Sequence, residues 1–255
     1  MTVQLEFVGH ACFRLWEDGR PTIVMDPFSH EKTELVDDGF RLETETVIVS
    51  SLTDPAHDHV ELASGSPHVI NALDVATGRV QETINGEPLI AIPAAEIPDH
   101  PEGTDDNALY AFKAGGLWFG HLGDLGFGLS NEDLAPWKGR CDVLLAIVGE
   151  KYTVPLDALD SMIEFLKPTW IVPMHYAMPP LGGEGVPGAG MSPVDVFLNR
   201  RRRDPVIIPR HHTITFPTIR SEDGRPTIVV PEPSGYPFTG GLPEFRVPEF
   251  QTAQN

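Results

Sequence analysis

The sequence predicts an α/β fold of two packed sheets flanked by helices, and three observations predict it. Strand-like runs stand at both ends of the chain, with strand and helix pairs between them, a pattern that needs two sheets rather than one. Residues 141–148 are almost continuously apolar, as in a strand covered on both faces. The 255 residues are 41% hydrophobic and 22% charged, an ordinary globular composition with no clear linker, which suits one domain over residues 1–239 and a tail over 240–255.

The elements follow from local pattern. Residues 3–8, 12–16 and 22–25 read as strands, the last two joined by the Asp18-Gly19 turn, because both residues tolerate positive φ. Residues 28–39 are polar and turn-rich, hence a loop. Residues 46–51 form an apolar strand, followed by a polar knot at 51–59, a short helix at 60–63 and a strand at 68–71. Strands are expected at 89–94, 107–113, 117–120 and 141–148. The clearest helix is 155–167, where Leu156, Leu159, Ile163 and Leu166 share one face, Pro155 opens it and Pro168 closes it. A strand at 170–174 precedes a long Gly/Pro-rich loop at 177–190, which suits a lid over a substrate. A second helix has Ser192 as cap, Pro193 as first residue and its end in the Arg200–Arg203 run; strands at 206–208, 213–216 and 227–230 finish the domain. The segment Glu17-Asp-Gly-Arg-Pro-Thr-Ile-Val24 recurs at 222–229, and both copies read as a hairpin turn entering a strand, the same local solution used twice.

Composition narrows the function. The charge sum, 18 − 37 = −19, lacks the basic footprint of a nucleic-acid binder and disfavours docking on anionic lipid. No apolar run approaches the ~20 residues of a membrane span, and the start alternates like a strand rather than a signal peptide, so a cytoplasmic protein is expected. Cys12 and Cys141 lie in apolar strand-like runs and read as reduced core residues. Arg200–Arg203 reads as a solvated helix end complementing the dipole rather than a phosphate clamp, since four consecutive helical residues cannot share one pocket. Residues 231–248 are Pro-rich and suit either docking on a partner subunit or a disordered tail.

Ionisable side chains recur where strands end. Asp26 closes the third strand, Asp54, His57, Asp58 and His59 follow the fourth, and His100, His121, Asp124 and His175 follow later ones. Gathered at one sheet edge, imidazoles and carboxylates make a divalent metal site for zinc, iron or manganese.

The order of Gly9-His-Ala-Cys-Phe, Ile23-Val-Met-Asp-Pro27, Asp58-His59, His100, His121-Leu-Gly-Asp-Leu-Gly126, Val148-Gly-Glu-Lys-Tyr-Thr153 and Ile171-Val-Pro-Met-His-Tyr176 resembles the metallo-β-lactamase superfamily. More narrowly it resembles the ascorbate-6-phosphate-lactonase-like branch of zinc-dependent hydrolases. The resemblance implies a four-layer αβ/βα sandwich with a metal site at one edge of the sheets. It implies Asp58, His59, Asp124 and His175 as ligands of the second metal position, with Asp124 bridging, and His100 as a ligand of the first. His121 and Asp26 would support those ligands from behind, and His10 would brace the site's edge rather than ligate.

The chain departs from the family's His-x-His-x-Asp-His motif, reading Asp54-Pro-Ala-His57-Asp58-His59. Asp54 can still ligate through oxygen, whereas Ala56 cannot ligate at all. His57 stands beside the vacated position and is kept among the candidate metal ligands, since it could swing in if Pro55 reshapes the loop; the family's intervening residue points away, and that direction is the one expected here. Glu150 stands where the branch has glycine and reads as solvated charge. The resemblance implies a metal-dependent hydrolase, with one or two ions, that directs hydroxide onto an ester, lactone or phosphodiester centre of a small molecule. Asp58, Asp124 and His121 are the residues expected to serve the chemistry. The alternative is a degenerate superfamily member that binds a ligand or one structural metal without turnover.

Overall fold

A computed structural model describes residues 2–33, 35–36, 39–52, 54–97, 106–177 and 190–235. Two mixed sheets make the framework. The first has six strands in the order Thr213–Phe216, Val3–Gly9, Cys12–Glu17, Arg20–Met25, Thr46–Val49 and His68–Asn71. The second has seven, in the order Ile90–Ala95, Asp106–Ala114, Leu117–His121, Val143–Ile147, Trp170–Met174, Thr227–Val229 and Val206–Ile207. Antiparallel hairpins open each sheet, and parallel pairings carry the rest from Arg20–Met25 and from Leu117–His121 onward.

The sheets meet through aromatic side chains. Phe216 of the first sheet packs edge-on against Phe119 and Trp170 of the second, with ring centroids 5.9 and 5.3 Å apart. Val143–Ile147 and Trp170–Met174 are buried at every position, so their parallel pairing accounts for the absence of alternation in the sequence. Gly120 is required by this packing: a Cβ there would lie 2.9 Å from the Trp137 ring and 3.0 Å from Cys141 Sγ. Both cysteines are buried free thiols, and burial raises the pKa of each.

Helix Leu156–Leu166 buries Leu156, Leu159, Met162, Ile163 and Leu166, the apolar stripe its spacing predicts, and ends on Lys167 in the left-handed region before Pro168. The second helix, Val194–Arg200, starts one residue later than the sequence suggests, with Pro193 as its cap. Its end explains the arginine run. Arg200 pairs with Asp157 and Asp160 of the first helix, and Arg201 Nη1 and Nη2 lie 2.7 Å from Asp160 and Asp204. These arginines bind two helices together and do not face the sheet edge that gathers the histidines.

Three features differ from the sequence reading. The segment 222–229 is not a hairpin: Thr227–Val229 pairs in parallel with Trp170–Met174 and Val206–Ile207, so only the first copy uses Asp-Gly to reverse the chain within a sheet. Residues 30–33, expected as loop, form one helical turn, His30–Thr33, closed by the Thr33 hydroxyl donating to the Ser29 carbonyl. Helix Ala72–Ala76 and the hairpin Thr83–Ile84/Glu87–Pro88 had no counterpart in that reading, although Asn71 caps the one through Leu73 N–H and the Asn85-Gly86 turn signals the other. His100, most of the loop at 177–190 and the tail at 240–255 lie outside the described residues.

Candidate metal centre

The chemistry-bearing residues come from the ends of strands along one rim of the two sheets. Asp26 follows Arg20–Met25, the 54–59 segment follows Thr46–Val49, Asp124 lies three residues beyond His121 at the end of Leu117–His121, and His175 follows Trp170–Met174. His10 sits in the turn between Val3–Gly9 and Cys12–Glu17. His10, Asp26 and His175 hold φ of 53°, 40° and 53°, a left-handed backbone that Asp and His tolerate better than most residues. Such conformations persist only where surrounding contacts fix them. Here they do: the His175 N–H donates to the His10 carbonyl at 2.8 Å, and the Asp26 N–H donates to the Ile48 carbonyl at 2.9 Å.

Behind the rim, Asp26 organises the site. Its Oδ1 accepts from the Ser50 N–H at 2.9 Å and the Tyr110 hydroxyl at 2.9 Å. Its Oδ2 accepts from the Ser50 hydroxyl at 2.7 Å and lies 2.9 Å from His57 Nδ1. Burial alone would raise the Asp26 pKa, but His121, His57 and Ser50 outweigh it and hold the carboxyl below its usual range. An ionised carboxylate only accepts, so His57 Nδ1 carries a proton toward it.

His57 is the pivot, and here the structure departs from the sequence expectation that it points away. The Asp54 carbonyl accepts both the His57 and Asp58 N–H groups at 2.8 Å, while Asp54 Oδ1 accepts the Ala56 N–H at 2.9 Å. This makes a helical turn opened by Pro55. Side chains advance by about 100° per residue in such a turn instead of alternating as in an extended segment. Residue 57 therefore swings inward, buried to 1% exposure, with Nε2 3.3 Å from Asp124 Oδ2. Burial alone would lower its pKa; Asp124 and Asp26, one at each ring nitrogen, raise it well above the ordinary histidine value.

The same turn carries Asp58 and His59 away from this group. Asp58 is half-buried, and burial followed by Asp54 and Glu61 raises its pKa. His59 has Nδ1 3.5 Å from Glu61 Oε2 and lines a separate groove with Ser29, Lys32, Arg41 and Leu62. His121 is buried, stacked on Tyr110 at 4.8 Å, and uses both nitrogens: Nε2–H donates to the Ala11 carbonyl and Nδ1 accepts the Gly123 N–H, each at 2.9 Å. Neither nitrogen remains for a metal or a substrate. Burial holds its pKa below the usual value.

What converges is a group of rings and carboxylates, several of whose buried atoms have no hydrogen-bond partner. His175 Nε2 lies 3.4 Å from Asp124 Oδ1, and the rings of His10 and His57 stand 4.0 and 5.6 Å from that of His175. One nitrogen from each of His10, His57 and His175 lies within 4.8 Å of the others, and one donor atom from each of Asp54, His57 and Asp124 does likewise. His10 Nε2, His57 Nε2 and Asp124 Oδ1 are buried and unpartnered. Burial holds His10 and His175 below the usual histidine pKa, whereas His57 and His175 pull Asp124 below the carboxylate range against its own burial. A small chamber beside the group is lined by Ser50, Ser51, Asp54, Glu96, Asp106 and Asn107.

The spacings suit donors gathered around a shared ion. A charge-assisted N–H···O contact is about 2.7–2.9 Å long. Donors about 2.05 Å from one tetrahedral ion stand about 3.4 Å apart, the edge of that tetrahedron. His57 Nε2 lies 3.3 Å from Asp124 Oδ2 and His175 Nε2 3.4 Å from Asp124 Oδ1, near that edge length, so each imidazole faces its own oxygen of the carboxylate. The donor set, imidazoles with a carboxylate, fits a divalent cation of the zinc, iron or manganese kind once His57 gives up its Nε2 proton in exchange for it.

Residues 4–175 match the profile of the beta-lactamase superfamily domain, and the chain belongs to that superfamily. The class defined by this fold and its matches is the metal-dependent hydrolases of the metallo-β-lactamase superfamily, with an α/β sandwich fold. More particularly, the chain is 26% identical over 200 residues to a UPF0173 metal-dependent hydrolase of Thermococcus onnurineus, covering 71% of this chain and 88% of the relative. It is 28% identical over 201 residues to one of Thermococcus kodakarensis, covering 70% and 87%. A Thermotoga maritima protein, assigned as a zinc-dependent hydrolase of the metallo-β-lactamase superfamily, superposes with a TM-score of 0.63 at 25% identity, over 90% of this chain and 98% of that one. A metallo hydrolase from Ignicoccus hospitalis shares the fold, with a TM-score of 0.57 at 19% identity over 86% and 100% of the two chains.

Proposed function

We propose that this chain hydrolyses an ester, lactone or phosphodiester bond of a small molecule at the rim site, with a divalent cation held by His57, Asp124 and His175. The observation that carries this reading is the convergence of donor atoms: one from each of Asp54, His57 and Asp124, and one from each of His10, His57 and His175, lie within 4.8 Å of one another, with His57 Nε2 and Asp124 Oδ1 buried and unpartnered. When bound, such an ion lowers the pKa of a coordinated water toward ~7 and polarises the substrate oxygen.

The chain's own residues do the rest. Asp26 accepts the hydrogen bond of His57 Nδ1–H, which fixes the ring's tautomer and turns the Nε2 lone pair inward. Asn107 Oδ1 accepts the Asp124 N–H at 3.1 Å and holds that carboxylate's backbone, while its buried, unpartnered Nδ2 is placed to donate to a substrate oxygen. Asp54 has one oxygen engaged by the Ala56 N–H; the other is available to take a proton from an attacking water. His121 supports the rim through Ala11 and Gly123 and stays neutral throughout.

A second reading rests on a specific observation. His57 lies between Asp26 and Asp124, so a protonated ring makes a buried ion pair that satisfies the site without metal. Elemental analysis of protein purified without added metal or chelator decides between the two, followed by a panel of ester, lactone and phosphodiester substrates with the ion found. About one equivalent and turnover of one substrate class is the expected result. No metal after attempted reconstitution, and no turnover, would overturn the hydrolase reading in favour of a non-catalytic member.

A further inference from the structure

The family motif lacks its second histidine at Ala56, and nothing in the 54–59 turn returns an imidazole there beyond His57 itself. The structure assigns the replacement to His10: we propose that this residue, from the first hairpin, is a direct ligand of the cation and completes a His10, His57, His175 and Asp124 set. The proposal rests on the metal-binding reading above and specifies its coordination sphere.

Four observations carry it. His10 Nε2 is buried with no hydrogen-bond partner, although a buried imidazole nitrogen ordinarily finds one. Its ring centroid stands 4.0 Å from His175 and 5.0 Å from His57, and one nitrogen of each ring falls within 4.8 Å of the other two. The backbone is built to put it there. The pairing of Val3–Gly9 with Cys12–Glu17 shifts register between Phe7 and Gly9, Gly9 has φ 142° and His10 has φ 53°. A register shift of this kind re-aims a side chain at a strand end. Finally, the His10 carbonyl accepts the His175 N–H at 2.8 Å, so the two rings are fixed to one another through the main chain before any ion arrives.

A shared cation that accepts their lone pairs accounts for three imidazoles packed this closely, with the His10 and His57 Nε2 atoms buried and unpartnered. Phe28 flanks His10 at 6.4 Å and supplies no polar atom. Three imidazoles and one carboxylate would supply four protein donors, the lost one coming from a different strand pair, and the water of the proposed hydrolysis would enter as a fifth ligand.

The test uses the full-length protein and cobalt(II) alone as the probe, since its visible absorption reports coordination number without requiring activity. The variants are His10→Gln and His10→Gly; glycine relaxes the positive φ, so loss of binding in it is not a folding defect. Metal-free circular dichroism checks each fold. The expected result is that the wild type binds cobalt with an intense tetrahedral spectrum. Both variants should bind more than about 100-fold more weakly, beyond the 10–100-fold typical of a residue that merely orients a ligand. Millimolar imidazole should restore the spectrum in His10→Gly. Wild-type affinity and spectrum in both variants, with binding abolished in His57→Gln, would overturn the His10 assignment and leave the metal site standing. No cobalt bound by the wild type would overturn both.

Discussion

Replacing Asp26 by Asn tests whether the buried carboxylate sets the protonation of His57. The substitution keeps shape and removes one acceptor. With the amide oxygen at the Oδ1 position, the Ser50 N–H and Tyr110 hydroxyl keep their 2.9 Å bonds. The amide NH2 then occupies the Oδ2 position and donates. The Ser50 hydroxyl can rotate to accept, but His57 Nδ1, 2.9 Å away, must give up its proton to accept as well. The proton moves to Nε2, the nitrogen facing Asp124 at 3.3 Å, and closes the lone pair to a cation. Second-sphere losses of this type cost 10–100-fold in affinity, and the tautomer change places this one at the upper end, about 100-fold or about 2.7 kcal/mol. In chelator, all four charge-assisted bonds to Asp26 become neutral ones, lowering stability by about 2–4 kcal/mol. Competition titration with zinc reads the affinity, and long-range 1H–15N spectra of the His57 ring read the tautomer. Unchanged affinity with the proton still on Nδ1 would refute the reasoning.

Other predictions follow from the same geometry. Asp124→Ala removes the carboxylate shared by both imidazoles; metal content by elemental analysis should fall to near zero with the far-ultraviolet circular dichroism intact, and retained metal would exclude Asp124 as a ligand. In chelated protein, His57 has a raised folded-state pKa, so its contribution is complete below the unfolded value of about 6.5 and is lost as pH rises. His10 and His175 have lowered values, so their contribution is lost as pH falls below about 6.5. Urea midpoints in EDTA should therefore peak near that pH and lose the alkaline decline in His57→Gln; an unaltered decline would show that His57 is not its source. Gly149→Ala puts a Cβ 2.2 Å from the His175 carbonyl, and a loss of about 3 kcal/mol in urea unfolding, together with weaker metal binding, is expected from the overpacking. Asp160→Ala breaks the Arg200 and Arg201 pairs between the two helices; it should lower stability by about 1 kcal/mol and leave metal affinity untouched.

Much of the framework was legible because it depends on nearest neighbours in sequence. The strands His68–Asn71, Trp170–Met174 and Thr213–Phe216 appear at the residues their apolar runs mark, and the stripe of Leu156, Leu159, Ile163 and Leu166 is the buried face of its helix. The Ala72–Ala76 helix was hidden by its brevity, since one and a half turns carry too few residues for a period to show. At 222–229 the local signal was the same as at 17–24, and only the partner strand differed. Pairing partners are non-local, and an Asp-Gly turn cannot choose them.

For the site, the sequence by itself determined the inventory: Asp26, Asp54, His57, Asp124 and His175 all stand at strand ends, and the imidazole missing at position 56 is plain once the resemblance to the family's motif is drawn. Which of them face one another was decided by the tertiary structure. A single helical turn after Pro55 rotates His57 inward and Asp58 and His59 outward, a change of direction that residue types do not encode. His10 enters from a hairpin far away in the chain because a register shift and a carbonyl shared with His175 place it there. Side-chain type is a property of the sequence, whereas side-chain direction at a rim depends on φ and ψ in turns that are fixed by what packs around them.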